Sequence, residues 1–159
     1  MPSPIAQKIA NLLARGAVTL VDASKKLQTL QVSLLDNEAK DTVDHLEPYG
    51  FTSNPPVGSE VVVMFLEGDR SHGVAIAASN RLYRVQNLQP GDVAIYDARG
   101  AMIKFTATGI QIIGGSHPIN ISGASSVTVT GGDVIADGIG LKTHHHQEHD
   151  GPNTGAALA

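Results

Sequence analysis

The chain has 159 residues, a net charge of −4, no cysteine, no tryptophan and only 4% aromatic residues, with an isoelectric point near 5.9. This composition excludes disulfide staples and thiolate metal sites, and it opposes general nucleic-acid binding, which normally needs a basic surface. No apolar run approaches the roughly 18 to 20 residues of a membrane span. Residues Met1 to Lys8 also lack the basic stretch and apolar core of a secretory signal, so a soluble protein made in the cytoplasm is expected.

The chain opens on a helix signal. Ser3-Pro4 supplies an N-cap and a proline at the first helical position. Ile5, Ile9, Leu12 and Leu13 then share a face, and Gly16 occupies the place of a C-terminal stop. A helix over 1–16 follows, packed on its own domain or on a neighbouring subunit.

Residues 17–97 carry strand patterns. Ala17 to Val21 is followed by Leu27 to Leu35, in which Leu30, Val32 and Leu34 alternate with polar residues. Asp36-Asn37-Glu38 reads as a turn, and Asp41 to Leu46 pairs back. Pro55-Pro56 excludes a central strand in the loop from Tyr49. Glu60 to Leu66 and Gly73 to Ala77 complete about five strands, which suits a small antiparallel barrel of OB-fold type, with a compact sandwich as the competing architecture. Acidic residues crowd the Asp36 to Glu47 hairpin, so Tyr49 and Phe51 read as core or interface and not as a base-stacking platform. His45 and His72 read as barrel surface.

Composition shifts near Asp97 to Gly100. The first 98 residues hold 19 of the 26 charged side chains but only 6 of the 17 glycines, which marks a boundary between unlike segments. Over 98–142, short apolar-polar alternations recur about every seven to nine residues, separated by glycine turns. The connections are too short for helical crossovers. One such chain has too little apolar side chain to close a core. Three copies wound together would bury Ile103, Phe105, Ile110, Ile112, Ile119, Ile121, Val127 and Val129 along an axis and pair their strand edges. The expected fold class is therefore mainly β: an N-terminal helix, an OB-fold-like barrel, and an intertwined triple-stranded β-helix in a trimer with a metal-capped apex.

That apex is placed in residues 143–159. In an extended strand, His144 and His146 point one way and His145 the other. Each chain offers two imidazoles, and three chains offer six, which suits an octahedral divalent first-row metal; zinc more often takes four ligands. With every position filled, such a metal cross-links and does not catalyse. Asp133 and Asp137 could hold a further cation along the β-helix, or cap turns.

The helix, the barrel, the glycine-punctuated prism and the stretch from Asp133 to His146, followed by Pro152 to Ala156, resemble the central tail spikes of contractile phages. The match is to the baseplate assembly protein V family of Mu-type phages and related tailocins. The resemblance implies a homotrimer on the virion at the baseplate tip, attached by its barrel to hub and tail-tube proteins. It implies one iron ion per trimer held by His144 and His146 of each chain. It also implies mechanical piercing of the host outer membrane, with only transient membrane contact. A trimeric β-helical adhesin for surface glycan is the alternative, but Phe105 is the one aromatic in the prism on which a sugar could stack. An enzyme is not expected. His145 to His149 spells the inverted zinc-protease motif H-x-x-E-H, but flanking Gly140 and Gly151-Pro152 oppose the helix that motif requires.

Overall fold

The computed structural model describes residues 3–34, 38–146, 149 and 151. They fall into two compact units, residues 1–118 and 119–159. The expected turn at Asp36-Asn37 and the tail after Gly151 lie outside the described residues. Among the described residues, no helix is long and apolar enough to cross a membrane.

The first unit begins with α1 (Pro4–Ala10), where the Ala6 N–H donates to Ser3 Oγ at 3.2 Å. The helix expected to reach Gly16 stops six residues earlier, and β1 (Leu13–Asp22) takes over. The reason is tertiary: Gly16 pairs with Leu34 on one side and Val61 on the other. A Cβ there would stand 2.4 Å from the Ser33 carbonyl oxygen. Gly16 permits a close approach of strands and does not end a helix.

Five strands close a barrel in the order β1-β2-β3-β5-β4, with β2 (Thr29–Leu34), β3 (Ala39–His45), β4 (Glu60–Phe65) and β5 (Gly73–Ser79). All neighbours are antiparallel except β3 and β5, which run parallel. Closure decides for the barrel over the sandwich. The core is Val18, Leu30, Val32, Leu34, Val43, Val61, Val63, Phe65 and Ala75, the inward residues of the period-2 pattern. Each large aliphatic buried there stabilises the fold by about 1.5–3 kcal/mol.

A charged latch covers one edge of this core. The Arg70 guanidinium lies 4.7 Å from the centroid of the buried Phe65 ring. Its Nε donates to Glu38 Oε1 at 3.3 Å, and Lys40 Nζ stands 2.9 Å from the same carboxylate. Those bonds from Arg70 and Lys40 hold the Glu38 carboxyl well below its ordinary range, at about 2.

One histidine departs from expectation. His45 is buried, its Nδ1 accepting from Gln28 Nε2 at 2.8 Å. Period-2 alternation from Val43 turns it inward, and the amide partner satisfies it. Tyr49 and Phe51 are exposed and belong to no core.

The same unit holds a three-stranded antiparallel meander, β6 (Val93–Tyr96), β7 (Met102–Thr106) and β8 (Gly109–Ile113). β6 precedes the compositional boundary yet pairs with β7 beyond it, so the sheet starts earlier than residue 98. Directly opposed residues share a face. Val93, Phe105 and Ile110 therefore form one row, and Ile95, Ile103 and Ile112 the next. All six are exposed.

The second unit contains two short strands, β9 (Ile135–Ala136) and β10 (Ile139–Gly140). Strands expected at Pro118 to Ile121 and at Ser126 to Val129 do not form within one chain. Residues 118–132 make no backbone hydrogen bond to another described residue. Ile119, Ile121, Val127 and Val129 are all exposed. A strand needs a ladder partner, and none is folded against them among the described residues.

Candidate metal centre at the tip hairpin

β9 and β10 are joined by two residues, Asp137 and Gly138, with φ of 47° and 85°. Positive φ at both central positions defines the type I′ turn, and Asp-Gly is a preferred pair for it. The Leu141 N–H returns to the Val134 carbonyl at 2.8 Å, extending the hairpin by one bond.

The chain then coils back at once. Gly140 O accepts from the Thr143 N–H at 3.4 Å and the His144 N–H at 3.0 Å, so residues 141–143 form a tight turn. The histidine run is thus not the extended strand that its alternation suggests. Its pairing is nevertheless the expected one: the His144 and His146 rings meet edge to face, with centroids 5.2 Å apart at 86°. A turn puts the two rings together where strand geometry was expected to do so.

His144 is half-buried, and its Nδ1 lies 2.9 Å from the Leu141 carbonyl oxygen. A carbonyl only accepts, so Nδ1 carries the proton and the lone pair of the neutral ring sits on Nε2. This is the arrangement found in metal-ligating histidines, which donate one ring N–H to a backbone carbonyl and bind metal through the other nitrogen. Among the described residues, no group of three or more His, Asp or Glu gathers to hold a metal. The described residues of one chain thus bring two adjacent imidazoles together, one of them oriented by a backbone carbonyl. Asp133, weighed for a cation or a turn cap, accepts backbone N–H groups of Val134 and Lys142. Of the H-x-x-E-H run, His145 and His146 are not helical, and Gln147 and Glu148 lie outside the described residues.

Residues 15–82 match the family described as Bacteriophage Mu Gp45, N-terminal. The chain is 35% identical over 147 residues to the baseplate puncturing device gp45 of Escherichia phage Mu, covering 88% of its own length and 74% of that protein. The chain belongs to the Mu gp45 family. It is also 31% identical over 111 residues to the Mu-like prophage FluMu protein gp45 of Haemophilus influenzae, 70% of this chain and 60% of that one. Within this gp45-family chain, the family match lies over the barrel, from β1 to just beyond β5.

His144 and His146, named from the sequence, have adjacent rings, and Asp133, named there for a cation or a turn cap, accepts turn amides. The part Gly140 plays in the turn was missed, and so was Asp137-Gly138 as a hairpin turn, although a two-residue Asp-Gly between apolar residues is a strong short-range hairpin signal.

Proposed function

We propose that this chain is the puncturing spike of a contractile tail baseplate, carried on the virion and acting mechanically and not as an enzyme. Three copies wind residues 98–142 into a triple-stranded β-helix. The barrel joins the spike to hub and tail-tube proteins, and the histidine tip meets the host outer membrane during contraction. The observation that carries this reading is the backbone of residues 118–132, which bonds to no described residue while Ile119, Ile121, Val127 and Val129 stand exposed. A run of exposed β-branched side chains is unusual in a finished protein, and a solvated backbone in extended form offers its edge for pairing. Pairing with two further copies buries those side chains and fills the edges. The apolar face of β6, β7 and β8 has the same need and the same remedy.

His144 and His146 of the three chains would hold one iron ion at the tip. When bound, such an ion supplies a cross-link between chains, worth roughly 10 kcal/mol in strong structural sites. The chain's own residues do the rest. The tight turn after β10 brings the two rings together, and the Leu141 carbonyl orients His144. Lys104, Gln111, Asn120 and Thr128, on the outward side of the pattern, keep the shaft wettable during its passage.

The test is native mass spectrometry combined with elemental analysis. The expected mass is three times the 16.6 kDa of the chain plus one first-row metal. That metal should disappear in the His144→Ala/His146→Ala double variant. A monomer without bound metal would overturn the spike reading.

A further inference from the structure

Asp133 lies eleven residues before His144 in sequence, on the far side of the β9–β10 hairpin, yet its carboxylate reaches the turn that carries the histidine. Oδ1 accepts from its neighbour's N–H, Val134, at 2.8 Å and from the Lys142 N–H at 3.1 Å. Oδ2 lies 3.4 Å from the same Lys142 nitrogen. Lys142 is the middle residue of the 141–143 turn. The residue before it gives the carbonyl that binds His144 Nδ1, and the residue after it leads directly to His144. One carboxylate thus ties the start of the hairpin to the turn that aims the ring.

Gly140 completes the arrangement. A Cβ at this position would stand 2.4 Å from Asp133 Oδ2 and 3.1 Å from Thr143 Oγ1. The strand end can lie against the carboxylate only because residue 140 has no side chain. Carboxylate-to-amide bonds are charge-assisted and stronger than neutral ones, so the contact outweighs an ordinary turn bond. A two-strand hairpin of four paired residues is marginal by itself. The Asp133 bonds, together with the Leu141 N–H to Val134 carbonyl bond, hold its open end to the His144 turn.

We propose that Asp133, seated against Gly140, is the positioning residue of the tip: it fixes the Leu141 to Thr143 turn so that His144 presents Nε2 to a shared metal. This rests on the proposed histidine centre and adds to it a residue that touches no metal. Asp133 acts through Lys142 and Leu141, and its loss should degrade the centre without removing a ligand.

The experiment uses the full-length assembly, stripped with chelator and titrated with cobalt(II) alone, whose visible spectrum reports coordination number. Wild type should take one cobalt per three chains with a weak six-coordinate spectrum. Asp133→Ala should bind about 10–100-fold more weakly, as outer-shell losses typically do, with an altered spectrum. Asp133→Asn keeps an oxygen acceptor for Val134 and Lys142 and should recover most of the affinity. Gly140→Ala retains all charges but displaces the carboxylate, and should behave like Asp133→Ala; it carries the test if Asp133→Ala does not assemble. Amide hydrogen exchange on the stripped proteins gives a metal-independent readout. Exchange at Lys142 and His144 should quicken in Asp133→Ala and Gly140→Ala and stay slow in Asp133→Asn. Unchanged cobalt affinity and spectrum in both disrupting variants would overturn the positioning role and leave the histidine centre standing. Wild type that binds no cobalt, with protected tip amides, would overturn the centre and this role with it.

Discussion

The barrel and the glycine-rich region after it are built from the same kind of strand pattern and end in opposite conditions. In the barrel, Val61, Val63 and Phe65 alternate with half-buried residues, and every inward side chain meets another strand of the same chain. In the later region, Ile103, Phe105, Ile110 and Ile112 alternate just as regularly, yet they remain exposed. The difference is closure. Five strands with one parallel β3–β5 pairing make a ring, whereas a three-stranded meander and a two-residue hairpin leave edges and a face open. Alternation therefore says that a face will be buried, and the topology says whether one chain suffices to bury it.

The widest separation between the two regions should come from Ile112→Asp combined with Ile121→Asp. On the proposed axis, each trimer would bury six carboxylates among aliphatic side chains, at a cost of several kcal/mol each before any relaxation. Sedimentation velocity should show loss of the trimer, and a trimer that persists would remove the axial packing from the account. The next effect is confined to the barrel. Phe65→Ala should cost about 3–5 kcal/mol, read in denaturant unfolding as a shift independent of protein concentration, because its partners lie in the same chain.

A smaller loss is expected for Gly16→Ala. The new Cβ meets the Ser33 carbonyl oxygen, a backbone atom that cannot rotate away, and about 1–3 kcal/mol of overpacking follows. The unfolding midpoint would fall with its slope unchanged. The smallest effect concerns acid. The folded Glu38 carboxyl is depressed to about 2, so its contribution is complete above its ordinary 4.5 and is lost as pH falls through about 2. Glu38→Gln should flatten that part of the barrel's acid-unfolding curve and lower stability at pH 7 a little, a difference that shrinks as salt screens the Arg70 and Lys40 pairs. An unchanged acid curve would show that the Arg70 and Lys40 latch carries no net stabilisation.

Much of the barrel was legible because burial and period coincide in it: Leu30, Val32 and Leu34 announce both a strand and its inner face. The limits of α1 were not legible. Ile9, Leu12 and Leu13 satisfy a helical spacing, and only the pairing of Leu13 to Gly16 with β4 takes Leu13 out of the helix and into a strand. His45 looked like surface because the partner that satisfies its inward-facing ring, Gln28, lies 17 residues away. At the tip, two histidines separated by one residue suggested ligation from residue type alone. The turn that joins their rings, and the Asp133 contact behind it, could not be read from spacing.

By itself, the sequence determined the class of this protein: the alternation, the glycine punctuation, the absent cysteines and the histidine pair all follow from residue type and order. Only the tertiary structure decided which alternating faces one chain covers, where the first strand begins, and which carbonyl orients His144. Those outcomes depend on contacts between residues far apart in the chain, and local pattern carries no information about whether such a partner arrives.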